Sequence, residues 1–469
     1  MVQETLQAYI PEAPAATSIW SRQYRALTIG LILTVAGSAF EALAVATTMP
    51  ATARELGGLA LYGWAFSAFM LSNLIGITVA GGEADRQGTA RPFLVGVALF
   101  VLGLLMGGLA PTMMVLIAGR AVQGFGAGFI SSTAYIAIGR GYPESAKPRM
   151  LAVISSAWVV PGLVGPALAG MVADHLGWRW VFLGLAPLPA IAAALAWPAL
   201  QRFSQGSDTP RDWERIRSAA RLAAGTGLLV TGLGTPSPLI AAALVGAGTA
   251  LGLPALRRLL PQGTLRASGG LPAAIATNGL LSLAFFGADA FVPLALTAVR
   301  GQSATAAGLA LTAATLSWTT GAWLLAHFAA RQGRRLIVVA GLVLTAVGIA
   351  GVAGVLAPAV PAWLALAAWA VAGLGVGLAF SALTLVVLEM APAGQEGAAT
   401  SAMQLANVLG VALGTGLGGV IVAYASAGGG QPTIGILGQD LLMIGVLALA
   451  VLTASRLPGG REPTAAARA

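Results

Sequence analysis

The sequence has no cysteine, which excludes disulfides and thiolate metal sites. It has two histidines, His175 and His327, too few for a metal centre built on imidazole. Charge is also scarce: Asp, Glu, Lys and Arg make up 9% of 469 residues, against about a quarter in an ordinary soluble domain. So few charges cannot coat a water-facing surface of this size. A soluble enzyme, a nucleic-acid binder and a disordered chain are therefore poor fits. Lysine is nearly missing: of 25 cationic residues only Lys147 is one, a skew that suggests a GC-rich bacterial genome. No phosphate-binding loop is visible, because Gly124-Phe125-Gly126-Ala127-Gly128 lies inside an apolar run and reads as helix packing. No nucleotide site, nucleophile–base set, metal or cofactor is expected.

What the chain has instead is hydrophobicity, 57% of its residues, with mean hydropathy +0.84. The apolar runs are continuous and about 20 residues long rather than alternating, so the expected class is an all-α polytopic membrane protein and not a barrel. Spans are read near 26–49, 60–82, 92–110, 112–139, 150–172 and 178–200, and near 273–298, 304–328, 335–357, 361–388, 398–424 and 435–455. Between these sets, 222–256 carries no charge, and Thr235-Pro236-Ser237-Pro238 in its middle marks a turn. Two further spans fit there, near 219–234 and 238–256, giving fourteen; a re-entrant hairpin would leave twelve. Either count puts both ends of the chain on one side. If that side is the cytoplasm, 21 cationic residues lie inside and three, Arg54, Arg179 and Arg300, outside. The net charge of +9 is thus positive-inside bias rather than a nucleic-acid signal. The implied organisation is a cytoplasmic lead 1–25 without a cleavable signal, a six-helix bundle 26–200, linkers and an inserted hairpin 201–272, a second bundle 273–456, and a cytoplasmic tail 457–469. The location read from this is a cell inner membrane.

The chain also repeats itself. At an offset of 245, Gly63, Ala65, Ala68, Leu71, Ser72 and Gly76 match Gly308, Ala310, Ala313, Leu316, Ser317 and Gly321. The match runs on from Ala84-Asp85-Arg86-Gln87-Gly88 to Ala329-Ala330-Arg331-Gln332-Gly333. At an offset of 249, residues 121–128 match 370–377, and Pro143, Gly165 and Gly170 match Pro392, Gly414 and Gly419. Two parallel halves with pseudo-two-fold symmetry account for this, with the hairpin between them.

Three motifs carry a family resemblance. Gly81-Gly82-Glu83-Ala84-Asp85-Arg86-Gln87-Gly88 resembles the loop signature of the major facilitator superfamily, Arg120-Ala121-Val122-Gln123-Gly124-Phe125-Gly126 its second motif, and Pro161-Gly162-Leu163-Val164-Gly165-Pro166-Ala167-Leu168-Ala169-Gly170 its antiporter motif. Within the superfamily the chain is similar to the fourteen-span drug:proton antiporters, whose first-span acid, with a proline nine residues on, matches Glu41 and Pro50. It departs from the pattern at three points. Only Arg91 follows Gly88, the first-span acid is glutamate in place of aspartate, and Ala330 stands where the second loop would repeat Asp85. The resemblance implies export rather than uptake.

The candidate residues follow from the cost of polarity in lipid. An acid at mid-span costs about 2.5–3.5 kcal/mol on insertion scales, so Glu41 is either a proton or substrate group or a structural partner of Arg120 or Asn73. Asp289 is the second such acid, and Pro293 removes the helical donor for its carbonyl. Arg120, the one cation within a span, either answers protonation of Glu41 or holds helix carbonyls together with Gln123. In the loop, Gly81, Gly88, Arg86 and Arg91 surround Asp85, which can accept from a helix N-terminus on the other half and latch the cytoplasmic side. In the antiporter motif, Gly162, Gly165, Pro166 and Gly170 allow close helix approach, and Pro161 and Pro166 favour a bend. Asn73, Gln123, Asn278, Gln404 and Asn407 serve interhelical bonding or substrate contact. Trp158 and Trp318, with other aromatics, are candidates to line a cavity for apolar cations. Glu389 and Asp440 read as solvated acids near span ends. The expected function is proton-driven export of hydrophobic or amphipathic compounds by a monomer, with the bilayer and protons as the other partners. A lipid or glycolipid flippase is the alternative, and a non-transporting receptor or scaffold a remote one.

Overall fold

A computed structural model describes residues 18–143, 145–202, 210–328, 333–392, 395–427 and 431–458. The start of the lead (1–17), the second copy of the loop motif (329–332) and the end of the tail (459–469) lie outside the described residues. The described chain is helical throughout. The leading set of helices is α1 (Arg25–Glu55), α2 (Tyr62–Gln87), α3 (Ala90–Gly108), α4 (Met113–Gly141), α5 (Lys147–Ser156 and Val159–His175) and α6 (Arg179–Leu185 and Pro187–Arg202). The hairpin is α7 (Trp213–Leu233) and α8 (Pro238–Leu259). The trailing set is α9 (Leu271–Asp289, continued by Val292–Leu294 and the wide turn Ala295–Val299), α10 (Ala304–Phe328), α11 (Arg334–Val355), α12 (Leu364–Met390), α13 (Glu396–Ser426) and α14 (Pro432–Ala454). Among the described residues, eleven helices are long and apolar enough to cross a membrane.

The breaks have local causes. Pro161 lacks the N–H that would bond the carbonyl four residues back, and α5 is interrupted between Ser156 and Val159. Pro293 has the same effect on α9, which ends its first segment at Asp289. Hydroxyls within the helices return to their own backbone: Thr34 donates to the Gly30 carbonyl (2.7 Å), Thr48 to Ala44 (3.0 Å) and Thr345 to Gly341 (2.8 Å). Glu41 and Asp289 have no such local partner and find one on another helix.

Glycines set the spacing between helices. α2 packs on α4 where Gly76 meets the Phe125 carbonyl, Gly124 the Phe69 carbonyl and Gly128 the Asn73 carbonyl. α10 packs on α12 at the equivalent points, with Gly321 against Leu374, Gly373 against Ala314 and Gly377 against Trp318. A Cβ at any of these six would overlap backbone, so the repeated glycines mark the positions where two helices touch main chain to main chain. Two core clusters result, one built mainly from residues before the hairpin and one mainly from residues after it.

The two sets meet along two seams, α5 against α10 and α2 against α13. The helix ends that carry Arg86, Arg140, Arg258, Arg334 and Arg456 form a basic end. The described hydrogen bonds between the two sets lie toward the opposite end. The Tyr62 hydroxyl donates to the Ala290 carbonyl (2.8 Å), Ser67 Oγ donates to the Ala412 carbonyl (2.8 Å) and meets Thr415 Oγ1 (3.0 Å), and Asp174 accepts from Ala304 and Thr305. The hairpin lies outside the α2–α13 seam and contacts both of its helices. Val230 packs on Gly416, Leu222 joins Leu74 and Leu409 in one cluster, and the Tyr424 hydroxyl donates to the Thr235 carbonyl (3.1 Å).

Candidate functional site

Glu41 of α1 and Arg120 of α4 form a buried ion pair, with 1% and 3% of their surfaces exposed. Arg120 is held on four sides. One guanidinium nitrogen donates to Glu41 and to Gln123 Oε1 (2.7 Å), Nε donates to the Ala65 carbonyl of α2 (3.1 Å), and the cation lies 4.2 Å above the Phe69 ring. The site thus joins three helices through one planar cation, whose fork of donors suits the task better than a lysine would. Removing one partner would strand the other charge at a cost of about 3–5 kcal/mol. Glu41, Arg120 and Gln123 therefore act as a unit. Arg120 thus pairs with the acid and also holds a carbonyl of a neighbouring helix.

Asp289 sits where α9 breaks, and its Oδ1 accepts from Trp369 Nε1 of α12 at 2.9 Å. Trp369 stacks on Phe285 with ring centroids 5.2 Å apart, and Phe285 meets Phe286 and Trp318 edge-on. The trailing set therefore holds its acid with a neutral indole donor in an aromatic cluster, whereas the leading set holds its acid with a cation. Trp369 was not singled out in the sequence; its signal was a tryptophan in the middle of an otherwise aliphatic run.

Asp440 corrects an expectation. It is not a solvated acid near a span end. It is 2% exposed, two turns inside α14, with Oδ2 lacking a hydrogen-bond partner among the described residues, beside Gln439, whose amide also lacks one. The helix starts at Pro432 rather than near 435, and that earlier start carries Asp440 inward. Glu389 is exposed and ion-paired to Arg334.

A sequence profile of the Major Facilitator Superfamily matches residues 29–288 and 274–468. The chain belongs to the Major Facilitator Superfamily. It is 30% identical over 416 residues to an uncharacterised transporter of this type from Mycobacterium tuberculosis, covering 85% of this chain and 59% of the relative, so the chain spans little more than half the length of that protein. A second M. tuberculosis relative, named a probable multidrug-efflux transporter, is 28% identical over 438 residues, 89% of this chain and 92% of the relative. Among solved structures, a bacterial homologue of the human lysosomal transporter Spinster, in an inward-facing and unoccupied conformation, superposes with TM-score 0.68 at 14% identity over 93% of this chain and 98% of that one.

The remaining superfamily motifs fall as follows. Gly81 lies inside α2, and a Cβ there would meet only Ser132 Oγ at 3.7 Å, so it provides no close approach; the motif expected as a loop is helix through Gln87, Asp85 and Arg86 included. Gly88 ends α2 at φ +78°, the left-handed region that glycine tolerates. Among the described residues, Asp85 accepts from Arg140 of α4 at 2.6 Å, a partner in its own set. Arg86 pairs with Glu83, and Arg91 is exposed in the first turn of α3. In the antiporter motif Pro161 is buried, Gly162 faces Thr315, Gly165 faces Phe40, the Pro166 carbonyl meets Gly308, and Gly170 meets Ala304 and Thr305. Asn73 donates to the Gly124 carbonyl and Asn278 to the Met403 carbonyl, both at 3.4 Å, so both bind helices to each other. Gln404 is exposed, Asn407 half-buried and Trp158 46% exposed. These residues do not gather into one group. Two surface clefts, lined by Arg300 and its neighbours and by Leu94 and its neighbours, include none of them.

Proposed function

We propose that this protein is a secondary active exporter of hydrophobic or amphipathic, often cationic, compounds, driven by proton influx through alternating access. The observation that carries this reading is the buried Glu41–Arg120–Gln123 unit: a titratable acid with a fixed cation, sealed between three helices. Protonating Glu41 would release Arg120 toward Gln123 and the Ala65 carbonyl, which couples a proton to the packing of α1, α2 and α4. The names of the M. tuberculosis relative and of other multidrug transporters at 26–28% identity support the substrate class. In this reading the chain forms two six-helix bundles, 26–200 and 273–456, related by a pseudo-two-fold axis. The hairpin within 201–272 makes fourteen spans, and the chain falls in the drug:proton antiporter branch. The basic end, with both termini, faces the cytoplasm of a bacterial cell whose inner membrane holds the protein as a monomer. The hydrogen bonds at the opposite end then hold the outer side shut in this conformation. Asp289, with its indole partner and aromatic neighbours, would tune the charge of the substrate.

The test is flux in proteoliposomes with an imposed pH gradient, a panel of cationic dyes and labelled lipids. Glu41→Gln, which cannot release a proton, is expected to abolish pH-driven dye export while dye binding in detergent persists. Glu41→Asp should be partly active. Full pH-driven export by Glu41→Gln at normal expression rejects the assignment, and transport of lipids without dyes would favour the flippase instead.

A further inference from the structure

Asp174 lies in the last turn of α5, at the end of the molecule opposite the basic one. Its carboxylate reaches across the seam to the first turn of α10. Oδ1 accepts from the Ala304 N–H at 3.1 Å; Oδ2 accepts from the Thr305 N–H at 3.0 Å and from the Thr305 hydroxyl at 2.7 Å. α10 does not need this acid as a cap, because Ser303 Oγ already accepts from the Ala306 N–H at 3.1 Å. The contact instead joins two helices 130 residues apart at the rim of the seam. It sits one turn beyond Gly170, where a Cβ would come within 2.6 Å of the Ala304 carbonyl and the Thr305 backbone, so the helices are already at main-chain distance when the carboxylate engages. The positive end of the α10 dipole adds to the attraction.

We propose that the Asp174–Thr305 contact is an outer-gate latch that sets the resting bias toward the state closed at this end, and that opening breaks all three of its hydrogen bonds together. This rests on the alternating-access reading above. The latch is not a proton sensor. Burial works against the charged form, but the Thr305 hydroxyl and the two backbone N–H groups outweigh it, with a smaller pull from His175, and hold the carboxyl below its ordinary value. The ionised form makes the bonds. The bias is therefore fully present above about pH 4, the ordinary range of an aspartate, and is lost only as pH falls through the depressed value. Protons that drive the cycle at milder pH must be read elsewhere.

The absence of cysteine makes the test direct, since introduced cysteines are the only labelling sites. Spin labels at Leu109→Cys and Ala359→Cys lie at exposed positions at this end, one on each set. Distances between them, measured in nanodiscs by pulsed electron resonance, report closure. Asp174→Ala is expected to raise the open-to-closed ratio about 5- to 30-fold, the span of one or two kcal/mol. Asp174→Asn, which keeps the shape and one acceptor, should shift it by less, and it covers the case in which the alanine variant misfolds. The wild-type ratio should carry no Asp174-dependent change between pH 8 and pH 5. A distribution unchanged in both variants but altered by Glu41→Gln overturns the latch alone. A distribution fixed in every variant, Glu41→Gln included, overturns alternating access and the latch with it.

Discussion

The two seams are copies of one geometry finished in different ways. In the α5–α10 seam the Pro166 carbonyl meets Gly308; in the α2–α13 seam the Thr415 carbonyl meets Gly63. These pairs are equivalent under the 245 and 249 offsets of the repeat, as are Gly170 and Gly419. Beyond the glycines the likeness stops. The first seam has a carboxylate at its rim and carries no added helices. The second has Ala423 in the place of Asp174, is tied by the Ser67 hydroxyl, and is covered by the hairpin. Close approach is thus inherited by both halves, and the polar chemistry that holds each seam shut is separate. In lipid, packing an apolar hairpin on a seam gains no hydrophobic free energy and acts through fit. A charged bond at the rim acts through electrostatics and can be lost one substitution at a time.

The largest test of the shared geometry is steric. Gly308→Leu and Gly63→Leu each drive a side chain into a facing carbonyl. Each is expected to cost about 1–3 kcal/mol or more through overpacking. Thermal unfolding in detergent should show similar losses for the two variants, and a loss confined to one would break the equivalence of the seams.

How much of this was legible depends on whether the partner is local. The glycines of the repeat were visible because identical residues recur at a fixed spacing, and the structure sets Gly63, Gly76, Gly308 and Gly321 among them against the backbone of another helix. Glu41 and Arg120 stood out as charges inside apolar runs, and their pairing was one of the alternatives weighed. Asp440 was misplaced by an error of about one turn in where α14 begins, which moved it from interior to edge. The adjacent polar pair Gln439-Asp440 inside an apolar run was the overlooked signal. Asp174 lies just past the end of the 150–172 span and was not singled out in the sequence. Its partners are backbone N–H groups 130 residues away, and backbone donors leave no mark in sequence. The candidate cavity residues do not lie together: Asn73 and Asn278 each donate to a carbonyl of a neighbouring helix, and Gln123 accepts from Arg120 on its own helix.

A smaller effect should come from the hydroxyl tie. Ser67→Ala removes the bonds to the Ala412 carbonyl and the Thr415 hydroxyl, worth about 1 kcal/mol in typical cases. With the same spin-label pair, the open population should rise roughly fivefold. The seams lie on different helices, so Ser67→Ala and Asp174→Ala should combine additively to within about 0.5 kcal/mol. Strong non-additivity would mean that the seams open as one unit rather than as two fastenings.

The smallest expected effect sharpens the comparison furthest. Ala423→Asp places a carboxylate at the position equivalent to Asp174, and the backbone equivalent to Ala304 and Thr305 is Leu59 and Ala60. These two begin a short turn ahead of α2, and no backbone hydrogen bond from either N–H is described. Two of the three bonds of the latch are then available. The third is not, because Ala60 stands where Thr305 supplies a hydroxyl. A first-turn acid of this kind typically stabilises by about 0.3–1 kcal/mol. Ala423→Asp should therefore move the label distances slightly toward the closed state and should recover part of the closure lost in Asp174→Ala. If the double variant stays as open as Asp174→Ala alone, the seams are not interchangeable. The latch would then depend on the Thr305 hydroxyl, and Thr305→Val should reproduce most of the Asp174→Ala phenotype.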